Sequence, residues 1–97
     1  MSKNPYIYIL ASKQNGTLYV GVTSDLSKRI WQHKNGFVDS FSKKYNLHKL
    51  VYYEQFKDMY SAICREKRLK KYKREWKVSL INGMNSSWKD LYDEIIQ

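Results

Sequence analysis

One carboxylate stands where an apolar side chain would be expected. Glu66 lies three residues after Ile63 and three before Leu69, within a segment whose apolar spacing predicts a helix. A carboxylate in such a stripe costs free energy unless it meets a cation or hydrogen-bond donors. Glu66 therefore either binds a hard divalent cation such as Mg²⁺, which prefers oxygen ligands, or tilts outward and pairs with Lys70. The spacing alone favours neither interpretation.

An arginine and a histidine stand four residues apart on another predicted helix. Arg29 and His33 are neighbours on one face at this spacing. The planar guanidinium offers two parallel donors to a phosphate, and an imidazole can accept or deliver a proton near neutral pH. The pair is therefore a candidate for phosphate chemistry, with an ordinary solvated basic face as the alternative.

Two tyrosines lie on consecutive predicted strands near the start of the chain. If the turn between the strands is residues 13–16, Tyr8 faces Gly21 across the ladder and lies diagonal to Tyr19. Gly21 then leaves an opening above the sheet beside two phenols. The phenols are either reactive groups or simple cross-strand packing, which is common for tyrosine in sheets.

A dense basic segment follows Glu66. Residues 65–77 hold eight Lys and Arg side chains in thirteen positions, interleaved with Tyr72 and Trp76. This pattern is typical of a surface that follows a phosphate backbone and offers rings for stacking, although many charge runs are only solvated faces. The predicted nucleic-acid contacts are Lys28, Lys34, Arg65, Lys67, Arg68, Lys70, Lys71, Lys73 and Arg74.

The apolar pattern predicts the elements that must position these side chains. The predicted strands are 6–11, 17–23 and 47–56. The predicted helices are one capped by Ser24 or Asp25 that ends near Asn35, one starting at Asp58 or Ser61, one over about 74–82, and a short one capped by Ser86 or Ser87. Gly36 is predicted to end the first helix, Gly83 and Asn85 to mark a break after the third, and residues 37–46 to form a loop. This order predicts an α+β fold with a small central three-stranded mixed sheet flanked by helices, in one domain over residues 1–97.

Composition narrows the class of protein. The net charge is +9 and the sequence pI is about 9.7, an electrostatic footprint expected of a nucleic-acid-binding domain. The lone Cys64 excludes an internal disulfide and a cysteine-based zinc site. The chain has no run of about 20 apolar residues and no recognisable signal peptide at its start. We therefore expect a cytoplasmic protein that does not insert into a membrane.

These motifs, in this order, resemble the GIY-YIG endonuclease superfamily. The first motif is similar to Tyr6-Ile7-Tyr8 and the second to Tyr19-Val20-Gly21, followed by Arg29, His33 and Glu66. The resemblance covers the whole chain and is closest to short stand-alone bacterial members, which also end near a segment like Trp88-Lys89-Asp90-Leu91.

The resemblance implies a phosphodiesterase that uses one divalent cation, Mg²⁺ or Mn²⁺, and no small-molecule cofactor. It implies that Glu66 holds the cation and that Arg29 stabilises charge on the phosphoryl oxygens. Tyr8 or Tyr19 would activate the attacking water, or itself attack, and His33 would help to move the proton. We favour a water mechanism with Tyr8 as the base and Tyr19 supporting it.

Departures from the family pattern affect the predicted substrate specificity. Tyr6 replaces the first glycine, and Val78 stands where repair-type members carry an asparagine. The chain also lacks the extra binding domain of members with known targets. We therefore expect a structure-directed or weakly specific nuclease of DNA more than RNA, acting in repair or recombination, with a protein partner supplying specificity. The alternatives are a non-catalytic nucleic-acid-binding module and, less favoured by the sequence, a membrane-surface protein.

Overall fold

A three-stranded sheet carries helices on both of its faces. The computed structural model describes residues 4–37 and 43–96. The strands are β1 (Tyr6–Ala11), β2 (Leu18–Thr23) and β3 (Lys49–Gln55). The helices are α1 (Leu26–Lys34), α2 (Met59–Lys71), α3 (Arg74–Met84) and α4 (Tyr92–Ile95). Within the described ranges, no helix is long and apolar enough to cross a membrane.

The sheet is antiparallel rather than mixed. The strand order is β2-β1-β3, and β1 pairs antiparallel with both neighbours. The crossover through α1 does make β3 parallel to β2, but β1 lies between them, so the two parallel strands form no ladder with each other. The α+β class is confirmed, and the predicted mixed sheet is corrected to an antiparallel one.

The first hairpin has the predicted register. Tyr8 pairs with Gly21, and the turn closes with hydrogen bonds from Ser12 N to Thr17 O (3.1 Å) and from Gly16 N to Lys13 O (2.9 Å). These bonds leave residues 13–16 as the loop. Asn15 takes a φ of 59°, the left-handed conformation that asparagine tolerates better than most residues.

Aspartates cap the two long helices that follow strands. The Asp25 carboxylate accepts a hydrogen bond from Lys28 N, and the Asp58 carboxylate accepts one from Ser61 N. Each satisfies a backbone donor that the first helical turn leaves without a partner. Gly36 follows α1 with a φ of 73°, as its predicted role at the end of the helix requires.

The predicted break after α3 falls at Asn85 rather than at Gly83, because the helix continues through Gly83 to Met84. The Asn85 side chain is buried and donates to Val51 O (3.2 Å) and Lys89 O (2.7 Å). These bonds to distant backbone hold the end of α3 against β3. A glycine in an exposed helix is tolerated at a cost of about 1 kcal/mol, which this anchoring outweighs.

The last helix is shorter than predicted. Neither Ser86 nor Ser87 caps it, because Trp88 takes a left-handed φ of 56° and the helix begins at Tyr92. The Trp88 indole is buried and donates from Nε1 to Asn82 Oδ1 at 2.7 Å. Burial of this ring therefore outweighs the helical pattern. In the predicted loop 37–46, Lys43 and Lys44 are helical, and residues 38–42 lie outside the described part of the chain.

Alternate residues of β1 divide the core into two clusters. One cluster joins the sheet to α2 and α3, and the other joins it to α1 and α4. The first contains Ile7, Ile9, Ala62, Leu69 and Ile81, and the second contains Tyr8, Leu10, Leu26, Ile30 and Leu91. Tyr8 therefore belongs to the face covered by α1.

Candidate active site

A buried tyrosine and a buried histidine form the centre of the candidate site. Tyr8 Oη and His33 Nε2 are 2.9 Å apart, and both side chains are almost inaccessible to solvent. His33 reaches the sheet because it continues the buried stripe of Leu26 and Ile30 along α1. The sequence placed His33 beside Arg29 but did not predict its direct bond to Tyr8. A proton can pass between the phenol and the imidazole at this distance.

Tyr19 completes a cluster of three rings. Its ring centroid lies 6.3 Å from that of Tyr8 and 5.5 Å from that of His33. The Tyr8 and His33 rings meet edge to face at 5.6 Å. The prediction that both tyrosines share one face of the sheet is confirmed, and α1 brings the imidazole into contact with both rings.

Gly21 makes room for the Tyr8 ring. A Cβ atom built at Gly21 would lie 2.4 Å from both Cζ and Oη of Tyr8, far inside van der Waals contact. The opening predicted above this glycine is therefore occupied by the phenol itself. The glycine in the second tyrosine motif thus serves the close approach of a neighbouring side chain.

Arg29 lines a polar cleft beside the ring cluster. It is half-buried on α1, one turn before His33. The cleft has a volume of about 210 Å³ and is lined by Thr23, Ser24, Asp25, Lys28, Arg29 and Gln32. Two cationic side chains in an open polar cleft suit an anion such as a phosphate group.

Glu66 approaches from the other face of the sheet. It lies on α2, between Ala62 and Leu69, which both belong to the core cluster on that face, and α2 contacts β1 and β2. Its side chain is only 13% exposed, and its Oε2 is 2.6 Å from Lys70 Nζ. The predicted pair with Lys70 is confirmed, although the carboxylate stays largely buried rather than tilting outward. Binding of a cation by Glu66 stays a prediction.

No preformed metal cage exists in the described part of the chain. Among residues 4–37 and 43–96, no group of three His, Cys, Asp or Glu side chains could hold a metal ion. Mg²⁺ in proteins commonly keeps several waters and binds through one or two carboxylates plus substrate phosphates. A single carboxylate such as Glu66 fits that mode of binding. It does not fit a site in which several protein side chains enclose the ion.

The sequence missed a polar network between β3 and α2. Arg65 donates to Glu54 from Nε (3.1 Å to Oε1) and from Nη2 (3.0 Å to Oε2), and its guanidinium also faces Tyr72. The Tyr52 hydroxyl donates to the same carboxylate. Because Glu54 balances its charge, Arg65 is less available to nucleic acid than the basic segment suggested. An i+2 pair of Tyr52 and Glu54 on one strand face was the only local signal for it.

Alkaline unfolding should reveal this network. Burial and the hydrogen bond to Glu54 raise the pKa of Tyr52 to about 12. The folded state therefore favours the neutral phenol, so this contribution is complete below pH 10 and is lost between about pH 10 and 12. We expect Tyr52→Phe to lower the free energy of unfolding by about 1–2 kcal/mol at pH 8 and by progressively less up to pH 12. Urea unfolding of both proteins across this range tests it, and a constant difference would contradict it.

Besides Lys70, which pairs with Glu66, two other predicted nucleic-acid contacts have partners within the fold. Lys34 donates to His48 O (2.9 Å) and pairs with Asp90. Arg74 donates from Nη2 to the backbone oxygens of Asn15 (2.9 Å) and Gly16 (2.6 Å), and so fastens α3 to the first hairpin loop. Lys70 and the remaining predicted contacts are exposed, and the latter are Lys28, Lys67, Arg68, Lys71 and Lys73.

Comparison with known proteins places this geometry in a family. Residues 4–82 match the GIY-YIG catalytic domain. The chain is 39% identical over 77 residues to a UPF0213 protein of Staphylococcus saprophyticus, covering 79% of this chain and 93% of that protein. It is 37% identical over 90 residues to a UPF0213 protein of Clostridium perfringens, covering 93% and 96%.

A solved structure extends the likeness to the fold. The solution NMR structure of the UPF0213 protein BH0048 from Bacillus halodurans matches with a TM-score of 0.56 and 26% sequence identity, covering 90% of this chain and 92% of that one. All five candidate site residues lie within the matched range 4–82. The chain therefore belongs to the GIY-YIG family of nuclease domains, among its UPF0213 members.

Proposed function

We propose that this protein is a divalent-metal-dependent endonuclease that hydrolyses phosphodiester bonds, in DNA more than in RNA. The observation that carries the proposal is the buried Tyr8–His33 hydrogen bond beside the cleft of Arg29. Membership of the GIY-YIG family supports it. The substrate preference we propose is for the structure of the nucleic acid rather than its sequence, as in repair or recombination.

Tyr8 and His33 handle the proton of the attacking water. The water gives a proton to Tyr8 Oη while the phenol passes its own proton to His33 Nε2, 2.9 Å away. The water oxygen forms a bond to phosphorus, the bond to the leaving oxygen breaks, and that oxygen takes a proton from solvent. Tyr19 packs against both rings and holds them in this orientation.

Arg29 binds the scissile phosphate. Its guanidinium donates to the non-bridging oxygens, where negative charge grows in the transition state. The polar cleft around it leaves room for the phosphate, and Lys28 on its rim adds positive charge. This arrangement places phosphate binding and proton handling one helical turn apart on α1.

Glu66 is the residue that would hold the divalent cation, Mg²⁺ or Mn²⁺. Its carboxylate supplies the hard oxygen ligand that these ions prefer, and its small exposure favours a counter-charge. The half-exposed Lys70 supplies that charge in this structure and can swing toward solvent. When bound, the cation would supply positive charge to the phosphate. No small-molecule cofactor is part of the proposal.

The exposed basic side chains of α2 and the following turn bind the rest of the strand. They include Lys67, Arg68, Lys71 and Lys73. Trp76 lies beyond them, about half exposed and in edge contact with Tyr72 at 5.2 Å. Such a surface predicts binding that weakens steeply as the salt concentration rises.

A cleavage screen tests the proposed activity. The protein is incubated with blunt, flapped, branched and single-stranded DNA and with matching RNA, in Mg²⁺, in Mn²⁺ and in EDTA. We expect metal-dependent cleavage of at least one flapped, branched or single-stranded substrate and no cleavage in EDTA. Glu66→Ala and Arg29→Ala serve as controls for contaminating nucleases. Cleavage that survives both substitutions, or no cleavage of any substrate, would contradict the proposal.

The Glu66–Lys70 ion pair favours a second candidate function. A carboxylate already neutralised by lysine suits a nucleic-acid-binding module that has lost catalysis. That module would bind nucleic acid in a salt-sensitive manner, would lose binding when Lys67, Arg68 and Lys71 are replaced by serine, and would yield no product with any metal. The cleavage screen distinguishes the two.

The proposed setting is a single domain, residues 1–97, in the cytoplasm. The free and exposed Cys64 thiol stays reduced there without a partner cysteine. A protein partner that brings the nuclease to its target would supply specificity. We propose no interaction with a membrane.

A further inference from the structure

We propose that Trp31 and Phe37 form a platform on which the protein stacks an unpaired base of its substrate. The inference rests on the proposed function, because it assumes that nucleic acid is bound, and it adds the substrate class. The two rings lie at the end of α1, the helix that carries Arg29 and His33. We call them the stacking platform.

The two rings of the platform are exposed and stacked on each other. The ring centroids are 5.6 Å apart with an interplanar angle of 12°, and Trp31 is 48% and Phe37 70% exposed. The buried stripe of α1 is formed by Leu26, Ile30 and His33, so Trp31 is not a core residue. Two large parallel rings held together in solvent offer an apolar π-surface without further rearrangement.

Two lysine side chains lie near the platform. Lys28 lies one helical turn before Trp31, and the Cε atom of Lys43 is 3.9 Å from a Cβ built at Gly36, next to Phe37. The segments 26–37 and 43–48 contain no Asp or Glu. Aromatic faces with cations around them suit a nucleic-acid strand, which presents stacking bases and phosphates at short repeat distances.

The platform lies within reach of the phosphate cleft. At 100° per residue, Lys28 and Gln32 lie on the helix surface between Trp31 and Arg29, and both also line the cleft. Arg29 and Trp31 lie about 160° apart around the helix axis, so the path between them over a helix about 10–12 Å wide is roughly 14–17 Å, the length of several nucleotides. A strand whose phosphate sits at Arg29 can therefore place a base of a nearby nucleotide on Trp31.

The platform selects for unpaired nucleotides. A base within a duplex already has a base on each of its faces, so it cannot stack on a protein ring without leaving the helix. A base in a single strand, a flap or a frayed end has a free face. The geometry thus points to substrates with an unpaired segment several nucleotides from the scissile phosphate.

Binding of two fluorescent probes to the whole protein in EDTA tests the inference without cleavage. The probes are a thymidine single strand of about 15 nucleotides and a blunt duplex of equal length. Trp31→Ala should raise the Kd for the single strand by about 5- to 100-fold and the Kd for the duplex by less than about twofold. Trp31→Phe should restore most of the affinity, because it keeps a flat ring.

Tyr60→Ala is the matched control, because Tyr60 is 78% exposed on a different helix. It should leave both affinities close to those of the wild type. Equal effects of Trp31→Ala on both probes, or no effect on the single strand, would overturn the inference. A change in oligomeric state by sedimentation, with single-strand affinity retained, would also overturn it and identify a protein interface instead.

The outcome separates this inference from the proposed function. Metal-dependent cleavage by the wild type, together with unchanged single-strand binding by Trp31→Ala, would refute the stacking platform and support the nuclease function. Loss of single-strand binding in Trp31→Ala, together with no cleavage by the wild type, would support a single-strand-binding module and refute the nuclease function.

Discussion

Replacing Glu66 by glutamine should lower metal-dependent cleavage by about 100- to 1,000-fold and leave the fold intact. Glutamine keeps the size and shape of the side chain but removes the charge that would hold the cation. The fold should tolerate this change, because the ion pair lost involves a half-exposed lysine and contributes at most about 1 kcal/mol. Initial cleavage rates in Mg²⁺, together with the melting temperature of each protein, measure both effects.

Lys70→Gln is the control that the structure supplies. It breaks the same ion pair and keeps the Glu66 carboxylate. If Glu66 serves the metal, Lys70→Gln should cut at a rate within a few fold of the wild type, whereas Glu66→Gln should not. Equal losses in the two variants would show that the carboxylate acts only through its ion pair. Full activity of Glu66→Gln would show that cleavage does not need the carboxylate at all.

Replacing Gly21 by alanine should lower the free energy of unfolding by about 1–3 kcal/mol and cleavage by about 100-fold. The new methyl group would lie 2.4 Å from Cζ and Oη of Tyr8, so the phenol must move. Its hydrogen bond to His33 would then lengthen or break. Urea unfolding and cleavage rates check the two effects separately.

Gly83→Ala is the control for Gly21→Ala, because it makes the same substitution at a position where the new methyl group meets no other atom. Nothing lies within 4 Å of a Cβ at Gly83, which is exposed on α3. It should raise the free energy of unfolding by about 0.5–1 kcal/mol, because alanine favours the helix over glycine.

A double variant tests the clash directly. Adding Tyr8→Ala to Gly21→Ala should remove the clash, so the double variant should be destabilised by less than the sum of the two single variants. Wild-type stability and activity of Gly21→Ala would contradict the assigned position of Tyr8.

Local patterns determined most of the elements and one important register. The alternation of β1 and β2 and the Asn-Gly turn set Tyr8 opposite Gly21 before any long-range contact was considered. The caps could be narrowed to Ser24 or Asp25 and to Asp58 or Ser61, because a cap acts on backbone groups within three residues, and the structure selects the aspartate each time. The apolar stripe of α2 likewise located Glu66 as a carboxylate against the core.

Tertiary structure decided which of the candidate groups meet. The Tyr8–His33 hydrogen bond joins residues 25 positions apart in the sequence, and the Arg65–Glu54 hydrogen bonds join residues 11 positions apart. Neither contact follows from spacing within one element. Trp31 and Trp88 are both tryptophans in helix-like patterns, yet one is half exposed and the other buried with a left-handed backbone. Side-chain periodicity specifies which face of a strand or helix a residue occupies, because that depends only on local backbone geometry. What covers that face depends on how distant elements pack, and this packing is what brings Tyr8, Tyr19 and His33 together.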